Sequence, residues 1–227
     1  MHPLSFNAIQ VSNMIFIDFE GYVNKNPSLA GYQIGNEFKQ IILDKKLINI
    51  SQETDIGFQD YENFCRWIIS QSNELNQPIT AWSENELEIF SQFQTPFDYC
   101  NLLKEAKKKI RKNADLSKKH KTMNEYWIGQ NLNIAGNNNP HANPFKRKRW
   151  KLLTILKLLD YPELNTGYGT GLVTARLRAI ENGLGARGSY KKLTRVQKSK
   201  WTKLLNHNKV DVDGMLFIKD KLEISLK

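Results

Sequence analysis

A short apolar run that ends in acid, residues 14–18 (MIFID), constrains the fold of this chain most. Its length and its content of β-branched and aromatic residues predict a buried strand. Residues 29–34 and 38–43 are two further strand candidates, and Gly35-Asn36 between them is a hairpin signal. Three consecutive strands of this kind predict that the sheet opens with an antiparallel meander.

The remaining sequence adds one more strand and is otherwise mostly helical. The spacing of apolar residues predicts a helix over 60–75, and a fourth strand follows at 79–82. Ser83 and Glu86 have the spacing of a capping box, so we expect a helix over 84–93. Further helices are expected over residues 96–113, 116–132, 145–159, 172–182, 194–208 and 211–226. This order predicts one α/β layered domain over the 227 residues, with a helical insertion at about 100–150.

Charge is distributed unevenly along the chain, whose formal net charge is +10. Residues 1–103 hold 5 basic and 13 acidic side chains, whereas residues 104–151 hold 14 basic and 3 acidic ones. An acidic half followed by a basic half indicates a polyanionic partner, most often nucleic acid. An anionic membrane, an acidic protein or a solvated lysine-rich surface would fit the same charge.

The composition also excludes several classes of protein. No apolar run approaches the roughly 18–20 residues of a membrane span, and the first residues lack the layout of a signal peptide. Two cysteines, Cys65 and Cys100, cannot build a disulfide framework or a four-cysteine zinc site. We therefore expect a soluble, cytoplasmic protein with reduced thiols and no membrane partner, and the oligomeric state stays open.

Two carboxylates at the end of the first strand are the most informative chemical feature. Residues i and i+2 of a strand share one face, so Asp18 and Glu20 should point the same way, with Phe19 on the other face. Side by side, the two acids repel each other unless a cation lies between them, and Mg²⁺ or Mn²⁺ suits such oxygen ligands. A strand that runs out to a polar, solvated end would give the same pattern.

Two further clusters follow later in the chain. Glu84, Glu86 and Glu88 come directly after the fourth strand, where acids in the first turn of a helix also favour the helix dipole. Near the C-terminus, His207 and Asp211 are four residues apart and would share one face of a helix. Taken singly, each of these clusters is better explained by helix capping or by a polar helix boundary than by a metal site.

Together, the three clusters resemble the motifs of the DEDD superfamily of 3′–5′ exonucleases, which have an RNase H-like fold. MIFIDFEG is similar to the first motif, a strand ending in Asp-x-Glu, and ITAWSENELEIF to the second, a strand followed by an acid near a helix start. LLNHNKVDVDGM resembles the third motif. The chain also resembles predicted RNase H-like nucleases, in which that motif often reads Tyr-Asn-x-x-Asp-Val. The resemblance implies an α/β, RNase H-like mixed sheet with antiparallel opening strands, flanking helices and a basic helical insertion.

The resemblance also implies roles for individual residues. The acids that would bind two Mg²⁺ or Mn²⁺ ions are Asp18, Glu20, Glu86 and Asp211. Glu84 is the alternative to Glu86, because the family usually has Asp in its second motif and this segment offers only glutamates. His207 would orient or deprotonate the attacking water.

The implied activity is that of a metal-dependent nuclease, a 3′–5′ exonuclease that hydrolyses phosphodiester bonds of DNA or RNA with two metal ions. A non-catalytic nucleic-acid-binding module on the same fold and an endonuclease are the alternatives. The residues expected to contact nucleic acid are Lys108, Arg111, Lys146, Arg147, Lys148, Arg149 and Trp150, the last by stacking on bases if it is not part of the core. Three later arginines, Arg176, Arg178 and Arg187, could contact phosphates or could be solvated.

Overall fold

A computed structural model describes residues 14–22, 25–132, 150–164 and 172–226, with the backbone alone for residues 126–132. This part of the chain contains six strands and eight helices. The strands are β1 (Ile15–Gly21), β2 (Pro27–Ile34), β3 (Glu37–Ile42), β4 (Gly57–Phe58), β5 (Ile79–Ala81) and β6 (Tyr99–Asn101). The helices are α1 (Ile48–Ser51), α2 (Tyr61–Leu75), α3 (Asn85–Phe90), α4 (Leu102–Lys112), α5 (Ala114–Leu132), α6 (Leu152–Leu158), α7 (Val173–Arg187) and α8 (Arg195–Lys221).

The strands form one mixed sheet in the order β4-β3-β2-β1-β5-β6. β1, β2 and β3 are antiparallel, whereas β5 is parallel to β1 and β6 is parallel to β5. The predicted α/β class and the antiparallel opening are therefore confirmed. The helix expected from residue 96 is wrong at its start, because residues 99–101 form β6 at the sheet edge and the helix begins only at Leu102.

Alternating side chains of β1 contact helices on both faces of the sheet. Ile15 and Ile17 belong to a core cluster that includes Phe64 of α2. Phe16, on the opposite face, belongs to a cluster with Met215 of α8 and residues of α4 and α6. The sheet therefore lies between two helical layers, and the side chains of β1 that point with Phe16 face α8.

The longest helix, α8, corrects a prediction. The sequence predicts two helices, 194–208 and 211–226, because the polar run at 206–209 resembles a helix boundary. The structure has one helix, which begins with a capping box between Thr194 and Gln197. Buried residues on either side of the polar run are Trp201, Leu204, Val212 and Met215. Each buried apolar side chain contributes roughly 1.5–3 kcal/mol, more than the roughly 0.7 kcal/mol or less that one polar residue costs in a helix.

The basic segment, residues 104–151, is helical over most of its described residues. α4 and α5 occupy its first part, and Asn101 caps α4 by accepting a hydrogen bond from the Lys104 backbone N–H at 3.0 Å. The helix predicted over 145–159 is observed only in part: α6 spans Leu152–Leu158, residues 150 and 151 are not helical, and residues 145–149 lie outside the described residues. Among the described helices, none is both long enough and apolar enough to cross a bilayer.

Candidate metal centre

Asp18 and Glu20 lie near the end of β1, on the sheet face that α8 covers. Asp18 receives a hydrogen bond from Asn208 of α8, and Glu20 contacts His207 of the same helix. Glu20 is buried, with 7% of its surface exposed. The two acids therefore share one face, as the alternation of a strand requires.

Asn208 links α8 to β1 and β3 by hydrogen bonds and lies over Gly31 of β2 between them. Its Nδ2 donates to the Asp18 carboxylate at 2.8 Å and to the Asp18 carbonyl at 3.2 Å, while Gln40 Nε2 donates to its Oδ1 at 2.9 Å. Gly31 pairs with Asp18 on one side and with Gln40 on the other. The Asn208 amide thus lies over one row of the sheet and fixes the orientation of the Asp18 carboxylate.

Gly31 makes room for this amide. A Cβ at this position would lie 2.1 Å from Asn208 Oδ1, which is well inside the contact distance. Asn208 itself is fully buried. No role for Gly31, Gln40 or Asn208 was predicted from the sequence. Only Asn208 had a signal, since it stands inside the third motif beside His207.

The middle of α8 brings His207 and Asp211 to Glu20. His207 Nε2 lies 3.7 Å from Glu20 Oε1 and 3.6 Å from Asp211 Oδ2. One possible ligand atom from each of the three residues lies within 4.8 Å of the others. Glu20 Oε1 is buried and has no hydrogen-bond partner within the described residues. A buried carboxylate oxygen without a donor is costly, so this group could hold a cation.

The segment after β5 supplies the fourth carboxylate. Glu86 is 9% exposed, and Ser83 Oγ donates to its Oε2 at 3.1 Å. The negative charge of Glu86 acts on Asp18. Glu84 is exposed and lines a surface pocket with Tyr99. Of the two glutamates that the sequence left open, Glu86 is therefore the one close enough to influence Asp18.

Burial and mutual repulsion shape the ionisation of these acids. Burial raises the pKa of Asp18 well above its ordinary value, and nearby carboxylates raise it further, against a hydrogen bond that lowers it. Those carboxylates are Asp211, Glu20 and Glu86. Burial and the charge of Asp211 likewise raise the pKa of Glu20. The acids ionise together at low cost only when positive charge is added to the group.

Arg176 of α7 is a cationic neighbour of this group and is not solvated. It is 6% exposed, and its Nη1 donates to the Lys203 carbonyl at 3.2 Å. Its charge lowers the pKa of Glu20, opposing the larger effects of burial and Asp211. Burial, followed by the charge of Arg176, lowers the pKa of His207 to about 4. His207 is therefore neutral at pH 7, and a pKa this low makes it a weak base.

Of the residues predicted to contact nucleic acid, the three that the structure describes, Lys108, Arg111 and Trp150, do not belong to this group. Lys108 pairs with Glu105 at 2.7 Å on the exposed face of α4. The Arg111 guanidinium lies 5.6 Å from the centre of the Trp150 ring, and Trp150 stacks on His120 with ring centroids 4.1 Å apart. Contacts within the protein thus already involve the Trp150 ring. The four residues that lie outside the described ranges are Lys146, Arg147, Lys148 and Arg149.

The centre as a whole combines four carboxylates, which come from three distant segments of the chain, with a neutral imidazole. Donor sets dominated by carboxylate oxygen suit Mg²⁺ and Mn²⁺, whereas thiolates, which favour softer metals, do not contribute to the group. Comparisons with protein-family models, curated proteins and solved structures found no match to this chain. The chemistry of these side chains is therefore the basis for assigning a function.

Proposed function

We propose that this protein is a metal-dependent nuclease that hydrolyses phosphodiester bonds of DNA or RNA with two Mg²⁺ or Mn²⁺ ions, acting as a 3′–5′ exonuclease. The observation that carries the proposal is the convergence of four acids in one largely buried group. Two come from β1, one from α3 and one from α8. So many buried like charges disfavour folding unless cations compensate them, which favours a metal centre over a structural role.

The arrangement of the sheet supports an RNase H-like fold for this nuclease. Three antiparallel strands open the sheet, and β1, which carries the first two acids, lies between β2 and β5. Helices cover both faces, and the last long helix contributes His207 and Asp211. These features agree with the mixed sheet and flanking helices that the sequence resemblance implies.

Each residue of the centre has a role in the proposed reaction. Bound divalent ions would polarise the scissile phosphate and lower the pKa of a bound water. Asp18, Glu20 and Asp211 would hold them, and Glu86 would supply the fourth carboxylate. Asn208 keeps the Asp18 carboxylate in one orientation through its 2.8 Å hydrogen bond. His207 is neutral and lies among the acid oxygens, so it can orient the attacking water through a hydrogen bond.

A cleavage assay with an end-labelled oligonucleotide tests the proposal. We expect the protein to release 5′-mononucleotides in Mg²⁺ or Mn²⁺, and Asp18→Asn to reduce cleavage to background while oligonucleotide binding persists. Asp213→Asn is the matched control, because Asp213 lies on the same helix as Asp211 and pairs with Lys209 instead. Internal fragments would identify an endonuclease, and binding without cleavage by the wild-type protein would identify a binding module. Full activity of Asp18→Asn would contradict the metal mechanism.

A further inference from the structure

A long stretch of the chain around the start of α8 contains no acid. Residues 182–210 hold eight lysines and arginines and neither Asp nor Glu. The stretch ends directly before Asp211, so its positive charge lies along α8 next to the candidate metal centre. Because the stretch contains no acid, none of its own side chains neutralises this positive charge. This pattern is expected of a surface that meets a polyanion.

The four lysines between residues 198 and 209 of α8 lie on two opposite faces of the helix. Lys203 and Lys200 precede His207 by four and seven residues, so both lie on the face that carries His207 and Asp211. Lys203 is exposed and Lys200 is partly exposed. Where the structure describes the chain, the side chains of these two lysines form no ion pair or hydrogen bond with another residue.

The lysines on the opposite face are engaged within the protein. Lys198 Nζ donates to the Lys191 carbonyl at 2.8 Å, and Lys209 forms an ion pair with Asp213. Lys209 Nζ also lies 5.4 Å from the centre of the Phe38 ring. Structural contacts therefore account for these two cations but not for Lys200 and Lys203.

We propose that the face of α8 formed by Lys200 and Lys203 is the surface along which the sugar–phosphate backbone of a nucleic acid enters the metal centre. The rise along the helix places Lys203 about 6 Å and Lys200 about 10 Å from His207. Lysines at these distances can contact the phosphates next to the one being cleaved. Arg176, which donates to the Lys203 carbonyl, adds positive charge beneath the same turn.

This inference rests on the proposed function and explains how a polyanion approaches an acidic site. Carboxylates repel the substrate, and adjacent cations offset that repulsion. An ammonium group is a point charge that contacts phosphate rather than base edges. Binding through this face should therefore be independent of base sequence and strongly dependent on salt, because each neutralised phosphate releases counterions.

The test measures how binding of a short, fluorescently labelled single-stranded oligonucleotide depends on salt. Fluorescence anisotropy is recorded in the Asp18→Asn background without divalent ions, so that cleavage does not interfere. The double variant Lys200→Gln/Lys203→Gln removes the proposed contacts. The control Lys198→Gln/Lys209→Gln removes the same charge from the same helix, but from the opposite face.

Removing two phosphate contacts should reduce the slope of log K against log salt by about 1.4 for a single strand. Between about 50 and 200 mM salt, the affinity of the test variant should therefore fall about sevenfold less than that of the parent. The control should keep the slope of the parent. An unchanged slope in the test variant, or an equal change in both variants, would overturn the proposal.

Two further readouts separate the possible failures. Binding to anionic phospholipid vesicles that requires the two lysines, together with oligonucleotide binding that does not, would assign the face to a membrane surface and overturn the inference. A reduced salt slope in Lys200→Gln/Lys203→Gln, together with no oligonucleotide cleavage by the wild-type protein, would support the proposed binding face and refute the nuclease. Normal cleavage by the wild-type protein, together with an unchanged salt slope in Lys200→Gln/Lys203→Gln, would support the nuclease and refute the binding face.

Discussion

Replacing Asp18 with Asn should stabilise the metal-free protein, although it removes a residue of the proposed catalytic site. Burial and three neighbouring carboxylates raise the pKa of Asp18, so its ionisation opposes folding. Asn retains an oxygen that can accept the hydrogen bond from Asn208 and carries no charge. The substitution therefore removes repulsion while keeping the link between β1 and α8.

The size of this effect follows from Coulomb's law. Two unit charges repel by about 4 kcal/mol at about 4 Å and by about 2 kcal/mol at about 8 Å when the effective dielectric constant is about 20. Partial protonation and the nearby Arg176 reduce the repulsion that the folded protein experiences. We expect a gain of about 2 kcal/mol at neutral pH, which raises the Tm of a chain of this length by about 4–8 °C.

The same pKa shift sets the pH dependence of stability. A carboxyl group whose pKa is raised on folding stabilises the protein fully below its unfolded pKa, near about 4, and this contribution is lost as the pH rises through the folded pKa. The contribution of Asp18 to the stability of the metal-free protein should therefore be lost as the pH rises from about 4 towards neutrality, whereas His207, whose pKa is lowered, contributes in the opposite direction. Over this range the wild-type protein should lose stability relative to Asp18→Asn, which keeps His207 but has no carboxyl group at residue 18.

Thermal unfolding in EDTA and in Mn²⁺ measures both effects. In EDTA the variant should melt above the wild-type protein, and added Mn²⁺ should raise the Tm of the wild-type protein more than that of the variant, because a ligand that binds only the folded state stabilises it. Glu37→Gln is the control, since Glu37 is an exposed strand carboxylate that pairs with Lys39 at 2.9 Å. A folded Asp18→Asn protein that melts below wild type in EDTA would refute the reasoning.

Three other substitutions test separate parts of the centre. Gly31→Ala should lower the free energy of unfolding in urea by about 1–3 kcal/mol, because its Cβ would displace the Asn208 amide. Glu86→Gln should weaken Mn²⁺ binding in calorimetry, whereas the exposed Glu84→Gln should not; equal weakening would contradict the assignment of Glu86. His207→Ala should slow cleavage with little loss of substrate binding, and an unchanged cleavage rate would remove its role in orienting the attacking water.

The opening of the fold could be predicted because its signals are local. The apolar run at 14–18 and the Gly35-Asn36 turn indicate strands whose pairing needs only short connections. The length of α8 could not be predicted in this way, because the polar residues 206–209 are held in a helix by burial of Trp201 and Met215 on either side of them. The three residues of β6 are too few to show a periodic pattern.

The candidate site, like the fold, could be predicted only where its signals are local. The alternation of a strand and the spacing of a helix were enough to pair Asp18 with Glu20 and His207 with Asp211. Glu86 is chosen over Glu84 because Glu86 is buried and Glu84 is exposed, a difference that the sequence alone does not show. The contribution of Gln40 and Gly31 depends on the register of three strands beneath α8, and no local pattern encodes that register.

Anomalous diffraction from crystals of the protein soaked in Mn²⁺ tests the central claim most directly. We predict two Mn²⁺ ions bound between the carboxylates of β1 and Asp211, with neither ion present in Asp18→Asn crystals soaked in the same way. Mn²⁺ absent from these carboxylates, or bound only at exposed acids such as Asp115 or Asp220, would contradict the metal centre and the nuclease mechanism that depends on it.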